Sequence, residues 1–102
     1  MPGKNVWEIF SNETPGIAKA WIEMSKQINV DGALDQKTAT LIRIAIYSVT
    51  RDPVALNHWV GEAFKQGISK KEIQSAAMMA WGVGVTFSEL AIPLIQEVEE
   101  SL

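Results

Sequence analysis

The sequence predicts an all-α protein of five to six helices. Three observations carry that expectation. Helix-capping signals recur along the chain, at Thr14-Pro15, Asp35, Asp52-Pro53, Ser69 and Thr86. Apolar residues between these signals repeat every three to four positions. No segment alternates apolar and polar residues with a period of two over a useful length, so strands are not expected.

Each element follows from its own punctuation. A short helical turn over Val6 to Phe10 is weakly signalled. Thr14-Pro15 reads as N-cap and first helical residue of a helix carrying Ile17, Trp21, Met24 and Ile28. Gly32 lies in the connection that follows. Asp35 caps the next helix, with Leu34 placed to staple onto Ala39. Asp52-Pro53 opens a helix that Gly67 should close as a left-handed residue. Ser69 and Glu72 form a capping box flanked by Ile68 and Ile73. The helix they start carries Ile73, Ala76, Ala77, Met79 and Ala80 toward Trp81, and Gly82 and Gly84 are expected to break it. Thr86 with Glu89 then reads as a second capping box, stapled by Val85 and Leu90. It starts a last helix in which Pro93 should make a kink.

The 102 residues suit one domain spanning 1–102. Hydrophobic residues at 47% and charged residues at 21% describe a packed chain and exclude a disordered one. The net charge of −3, with no basic run beyond Lys70-Lys71, lacks the footprint of a nucleic-acid binder. Zero cysteines remove disulfides, thiolate catalysis and thiolate metal sites, and a single histidine removes His-rich metal cages. No metal or cofactor is therefore expected. The longest apolar run, Ala76 to Val85, is about half of a membrane span, and Met1 to Phe10 has no apolar core of a secretory signal. The expectation is a cytoplasmic protein with no membrane partner.

The Asp35 helix sets a packing problem. Leu41, Ile44 and Ala45 share one face, and Ile42, Ile46 and Val49 share another, with only Arg43 interrupting. A helix apolar all round must be buried all round, which one small chain can hardly achieve. A homo-oligomer is the expected solution, whether dimer, trimer or hexamer.

The run Leu34 to Ile42 and the run Ala63-Phe64-Lys65-Gln66-Gly67-Ile68-Ser69-Lys70-Lys71-Glu72-Ile73 together resemble the core motif of the carboxymuconolactone decarboxylase and alkylhydroperoxidase-D-like family. The resemblance covers roughly residues 34 to 95. It implies an alkylhydroperoxidase-D-like helical bundle that assembles as a trimer or hexamer. It also implies where a redox site would lie. The cysteine pair of the redox branch falls on Asp52 and Ala55, its histidine on Trp59 and its glutamate on Thr40. All four depart from the pattern, and a thiol peroxidase mechanism needs a thiolate that cannot form here.

The candidate residues follow from those positions. Asp52 reads either as a general base or as a plain N-cap. His58 and Glu62, four apart on one helix, are the candidate acid–base pair, or else a surface pair. Trp59 either fills the ancestral pocket or walls it for a flat apolar ligand. Trp21 and Trp81, with Met24, Met78 and Met79, are adaptable core or the lining of an apolar cavity. Arg43, stranded on an apolar helix, needs a carboxylate across an interface or an anionic ligand. Tyr47 and Arg51 complete the polar groups expected to meet a ligand.

Two functions fit. In one, the chain is a non-catalytic or small-molecule-binding oligomeric member, a binding or structural subunit that keeps the helical oligomer without the redox residues; a small apolar or carboxylated molecule is the expected ligand. In the other, it is a thiol-independent enzyme, of decarboxylase, lactone or proton-transfer type. Its pocket would then lie between the Asp35 and Asp52 helices, with His58 moving a proton, Glu62 orienting it and Arg43 or Arg51 holding an anion.

Overall fold

The computed structural model describes residues 5–102; Met1 to Lys4 of the expected domain lie outside the described residues. Six α-helices follow in order: α1 (Val6–Glu13), α2 (Pro15–Ser25), α3 (Gln36–Thr50), α4 (Pro53–Lys65), α5 (Lys70–Met78) and α6 (Gly82–Ser101). Short 3₁₀ turns occupy Val30–Gly32 and Met79–Trp81, and no strand occurs among the described residues. The all-α expectation holds. The chain divides into two compact units, the first ending at Ala39 and the second being Thr40–Leu102.

In the first unit, α1 is more than the single weak turn expected. The Asn5 side chain accepts from the Glu8 N–H at 3.1 Å and caps it, and Trp7 and Phe10 meet edge to face at 5.4 Å. Thr14 takes the N-cap position of α2, but its side chain does not cap. The hydroxyl turns back and donates to the Phe10 carbonyl at 2.9 Å, closing α1 instead. The Gly16 and Ile17 N–H groups that a cap would have satisfied lie on exposed residues, where water can take them. α2 stops at Ser25, which puts Ile28 beyond the helix it was expected to extend.

Asp35 starts α3 as the sequence requires. Its Oδ1 accepts the Thr38 N–H at 2.7 Å, and that bond is the main cause holding its carboxyl below the ordinary aspartate value.

The second unit has its core where α3, α4 and α5 meet. Ile44, Ala63, Ile68 and Ile73 are buried together, with Leu41, Leu56, Trp59, Val60, Ala76 and Ala77 packed around them. Two pieces of local chemistry set that meeting. The first is the end of α4. Gly67 sits at φ +78, the Ile68 N–H reaches the Ala63 carbonyl at 3.1 Å, and the Gly67 N–H reaches Phe64 at 3.0 Å. This is a Schellman motif, and Ile68 and Ala63 are both core residues, as the motif's apolar contact demands. The second is the capping box of α5. Ser69 Oγ accepts from the Glu72 N–H at 3.1 Å while Glu72 Oε1 accepts from the Ser69 N–H at 3.2 Å.

The expected break at Gly82 and Gly84 does not occur. Both glycines lie within α6, which continues from α5 through the 3₁₀ turn as one helical path, Lys70–Ser101. Glycine costs a helix about 1 kcal/mol against alanine but does not forbid it. With the helix unbroken, Thr86 is not a cap; its hydroxyl donates to the Gly82 carbonyl at 3.4 Å. Pro93 lies inside α6 without ending it.

Read as one helix, this stretch has 32 residues and a most apolar window of mean hydropathy 1.5, so it is by length and composition long enough to cross a membrane. No residue of α6 is buried.

Candidate functional site

The candidate residues of the second unit separate into two groups. The first surrounds Trp59. The indole is half-buried against the core, the Arg43 guanidinium lies 4.4 Å above its ring centroid, and the His58 ring meets it edge-on at 5.0 Å. The cation that seemed stranded on α3 thus finds an aromatic face on α4 within the same chain. Such a contact contributes about 0.5–1 kcal/mol at a partly exposed site.

His58 is exposed. The Glu62 carboxylate lies 3.4 Å from Lys65 Nζ, and among the described residues no hydrogen bond joins it to His58.

Where the resemblance places a glutamate, Thr40 is almost fully buried, and its Oγ1 accepts from Gln66 Nε2 at 2.9 Å. A neutral polar pair joins α3 to the end of α4 there. Asp52, at the first redox position, caps α4. Its Oδ1 accepts from the Val54 N–H at 3.1 Å and the Ala55 N–H at 3.0 Å. Asp52 therefore has the geometry of an N-cap.

The second group lies where α3 ends. Arg51 adopts φ +56, a left-handed conformation rare for a residue with a Cβ. Asp52 causes it: its N–H reaches back to the Tyr47 carbonyl at 3.1 Å, which closes α3 in the manner of a Schellman motif. Pro53 holds Asp52 itself extended.

The turn faces Arg51 toward an open groove of about 560 Å³ between the end of α3 and the helical path of α5 and α6. Ser48 and Val49 line one side. Ala77, Ala80, Trp81, Val83, Gly84 and Phe87 line the other. Arg51 is the one charged side chain in that lining.

The cavity was expected between α3 and α4. Of the candidate ligand-site residues read from sequence, only Arg51 and Trp81 line this one. Tyr47 contributes its carbonyl to the turn rather than its ring to the lining. Ser48, Val83 and Phe87 were missed. Val83 and Phe87 carry only an apolar spacing shared with any core helix, and Ser48, whose hydroxyl donates to the Ile44 carbonyl, carries no such signal. Among the described residues, no group of three His, Asp or Glu side chains converges as a metal site.

Comparison with known proteins agrees with the helical plan. The model of the carboxymuconolactone decarboxylase family matches residues 15–88. A protein of Paracoccus denitrificans described as uncharacterized protein 4 in cox locus is 30% identical over 87 residues, covering 81% of this chain and 78% of that protein. No solved structure gives a significant match.

Proposed function

Because the chain belongs to the carboxymuconolactone decarboxylase family yet contains no cysteine, we propose that it is a thiol-free, oligomeric member that binds a small molecule. The ligand has a flat apolar body and a carboxylate. The observation that carries this is the cavity beside Arg51. It is an open groove of about 560 Å³ in which Trp81 and Phe87 are 75% and 66% exposed, so a small ligand would lie against one face of it. Trp81 and Phe87 offer aromatic walls, and one guanidinium offers a bidentate partner for a carboxylate. Redox chemistry of the family type has no atom to begin on. Asp52, at the position of the first family sulfur, uses its carboxylate oxygen on the backbone of α4.

Two assays test the proposal. Aromatic carboxylates should quench tryptophan fluorescence saturably, and their uncharged amides should bind more weakly. Arg51→Gln should erase the difference. Equal binding of acid and amide to the parent protein refutes the ligand class. Peroxide with a dithiol donor should not be consumed by the purified protein, and turnover lost on heating refutes the thiol-free reading.

The enzymatic alternative, with His58 moving protons and Glu62 orienting it, has less support. The Glu62 carboxylate is drawn to Lys65 instead.

A further inference from the structure

The polar side chains that line the groove beside Arg51 divide into donors and a single acceptor. The Arg51 guanidinium and the Trp81 indole can only donate. Arg51 forms no ion pair among the described residues, and the adjoining Asp52 carboxylate accepts from the backbone of α4 instead. The acceptor is Ser48. Its hydroxyl is half-buried and donates to the Ile44 carbonyl at 2.7 Å. A hydroxyl has one proton and two lone pairs. With the proton given to α3, the Ser48 oxygen keeps only acceptor capacity toward the groove.

The backbone around Ser48 has the same sign. Ser48 lies in the last turn of α3. The final carbonyls of a helix lack partners within it and carry partial negative charge. That end of the groove favours the positive end of a donor and disfavours a carboxylate. Arg51, which follows α3 directly, reverses the preference at its own guanidinium. The two residues are three apart, about one helical turn, a separation of the order of one aromatic ring.

We propose that the ligand of this groove carries a hydroxyl on the same aromatic body as its carboxylate, and that Ser48 Oγ accepts the hydroxyl proton while Arg51 holds the carboxylate. The inference rests on the carboxylate-binding reading above and narrows its ligand class from aromatic acids to hydroxy-aromatic acids. Ser48 thereby becomes the residue that sets specificity within that class. The apolar remainder of the lining, Phe87 among it, has no side-chain acceptor to substitute for it.

The test compares ligands that differ in one proton donor. Benzoate, 3-hydroxybenzoate, 4-hydroxybenzoate, the two matching methoxybenzoates and benzamide are titrated into the chain. Binding is followed by nuclear magnetic resonance on the indole N–H signals of the four tryptophans, which tolerates weak affinity and absorbing ligands. At least one hydroxybenzoate should bind roughly two- to tenfold tighter than both benzoate and its methoxy counterpart, the span expected of one net hydrogen bond. In Ser48→Ala the ratio of hydroxybenzoate to benzoate affinity should fall to about one. Alanine favours a helix more than serine does, so the variant keeps α3.

Hydroxy and methoxy acids that bind alike overturn the inference, and if benzoate still binds tighter than benzamide the carboxylate reading stands. A hydroxybenzoate preference that survives Ser48→Ala overturns it as well, because another group then receives the donor. Equal weakening of benzoate and hydroxybenzoate in Ser48→Ala means that the serine donates to the carboxylate, which also overturns it. Benzoate that binds no tighter than benzamide removes the carboxylate reading, and the inference with it.

Discussion

Alanine placed at Gly67 and at Gly61 should move stability in opposite directions, for reasons the backbone states. Gly67 holds φ +78, and a Cβ built there meets nothing within 4 Å. The cost of Gly67→Ala is therefore conformational and not steric. An L-residue in the left-handed region costs about 1–2 kcal/mol. Alanine also restricts the unfolded chain, which returns about 0.4–1 kcal/mol. The net expectation is a loss of about 1 kcal/mol. Gly61 lies inside α4, and a Cβ there also meets nothing within 4 Å. Gly61→Ala gains helix propensity of about 1 kcal/mol with no clash to offset it. For a chain of this size each change moves the melting midpoint by about 4–8 °C, Gly67→Ala down and Gly61→Ala up. Circular dichroism at fixed protein concentration reads both, because association would otherwise shift the midpoint. A Gly67→Ala protein as stable as the parent refutes the Schellman account of how α4 turns into α5.

Two further outcomes follow from single contacts. Thr40→Val should destabilise by about 1–3 kcal/mol in urea unfolding, because the buried hydroxyl accepts the Gln66 amide and its loss leaves that donor unmet; a neutral effect would mean that water replaces the bond. Asp35 has a lowered carboxyl pKa in the folded chain, so its contribution is present above the unfolded aspartate value and is lost as pH falls through the lower folded value. A melting profile across the acid range should therefore fall less steeply in Asp35→Asn than in the parent, and parallel profiles would remove Asp35 from the acid transition.

The features legible in the sequence are those whose partners lie within about five residues. Asp35, Asp52, the Ser69–Glu72 box and Gly67 all act on backbone groups of their own or the adjoining turn. Residue type and spacing therefore specify them before any tertiary contact forms. Thr14 shows the limit of that logic. Its position was right, but two helix ends competed for one hydroxyl, and the preceding helix won. Gly82 and Gly84 show another. A propensity cost of about 1 kcal/mol is a preference, and helical continuation on both sides overrides it. The candidate site was less legible still. Arg51 and Trp81 were singled out, yet neither could be assigned to a common cavity from sequence.

By itself, then, the sequence determined an all-α chain of the carboxymuconolactone decarboxylase family, its main caps, and the exclusion of thiolate chemistry. Tertiary structure alone decided that Arg43 lies over Trp59, that Thr40 meets Gln66, and that Arg51 turns toward a cavity walled by a distant helix. The physical reason is range. Caps are fixed by bonds a few residues long, while the site is fixed by which helix faces exclude water together, and that depends on the whole packed set at once.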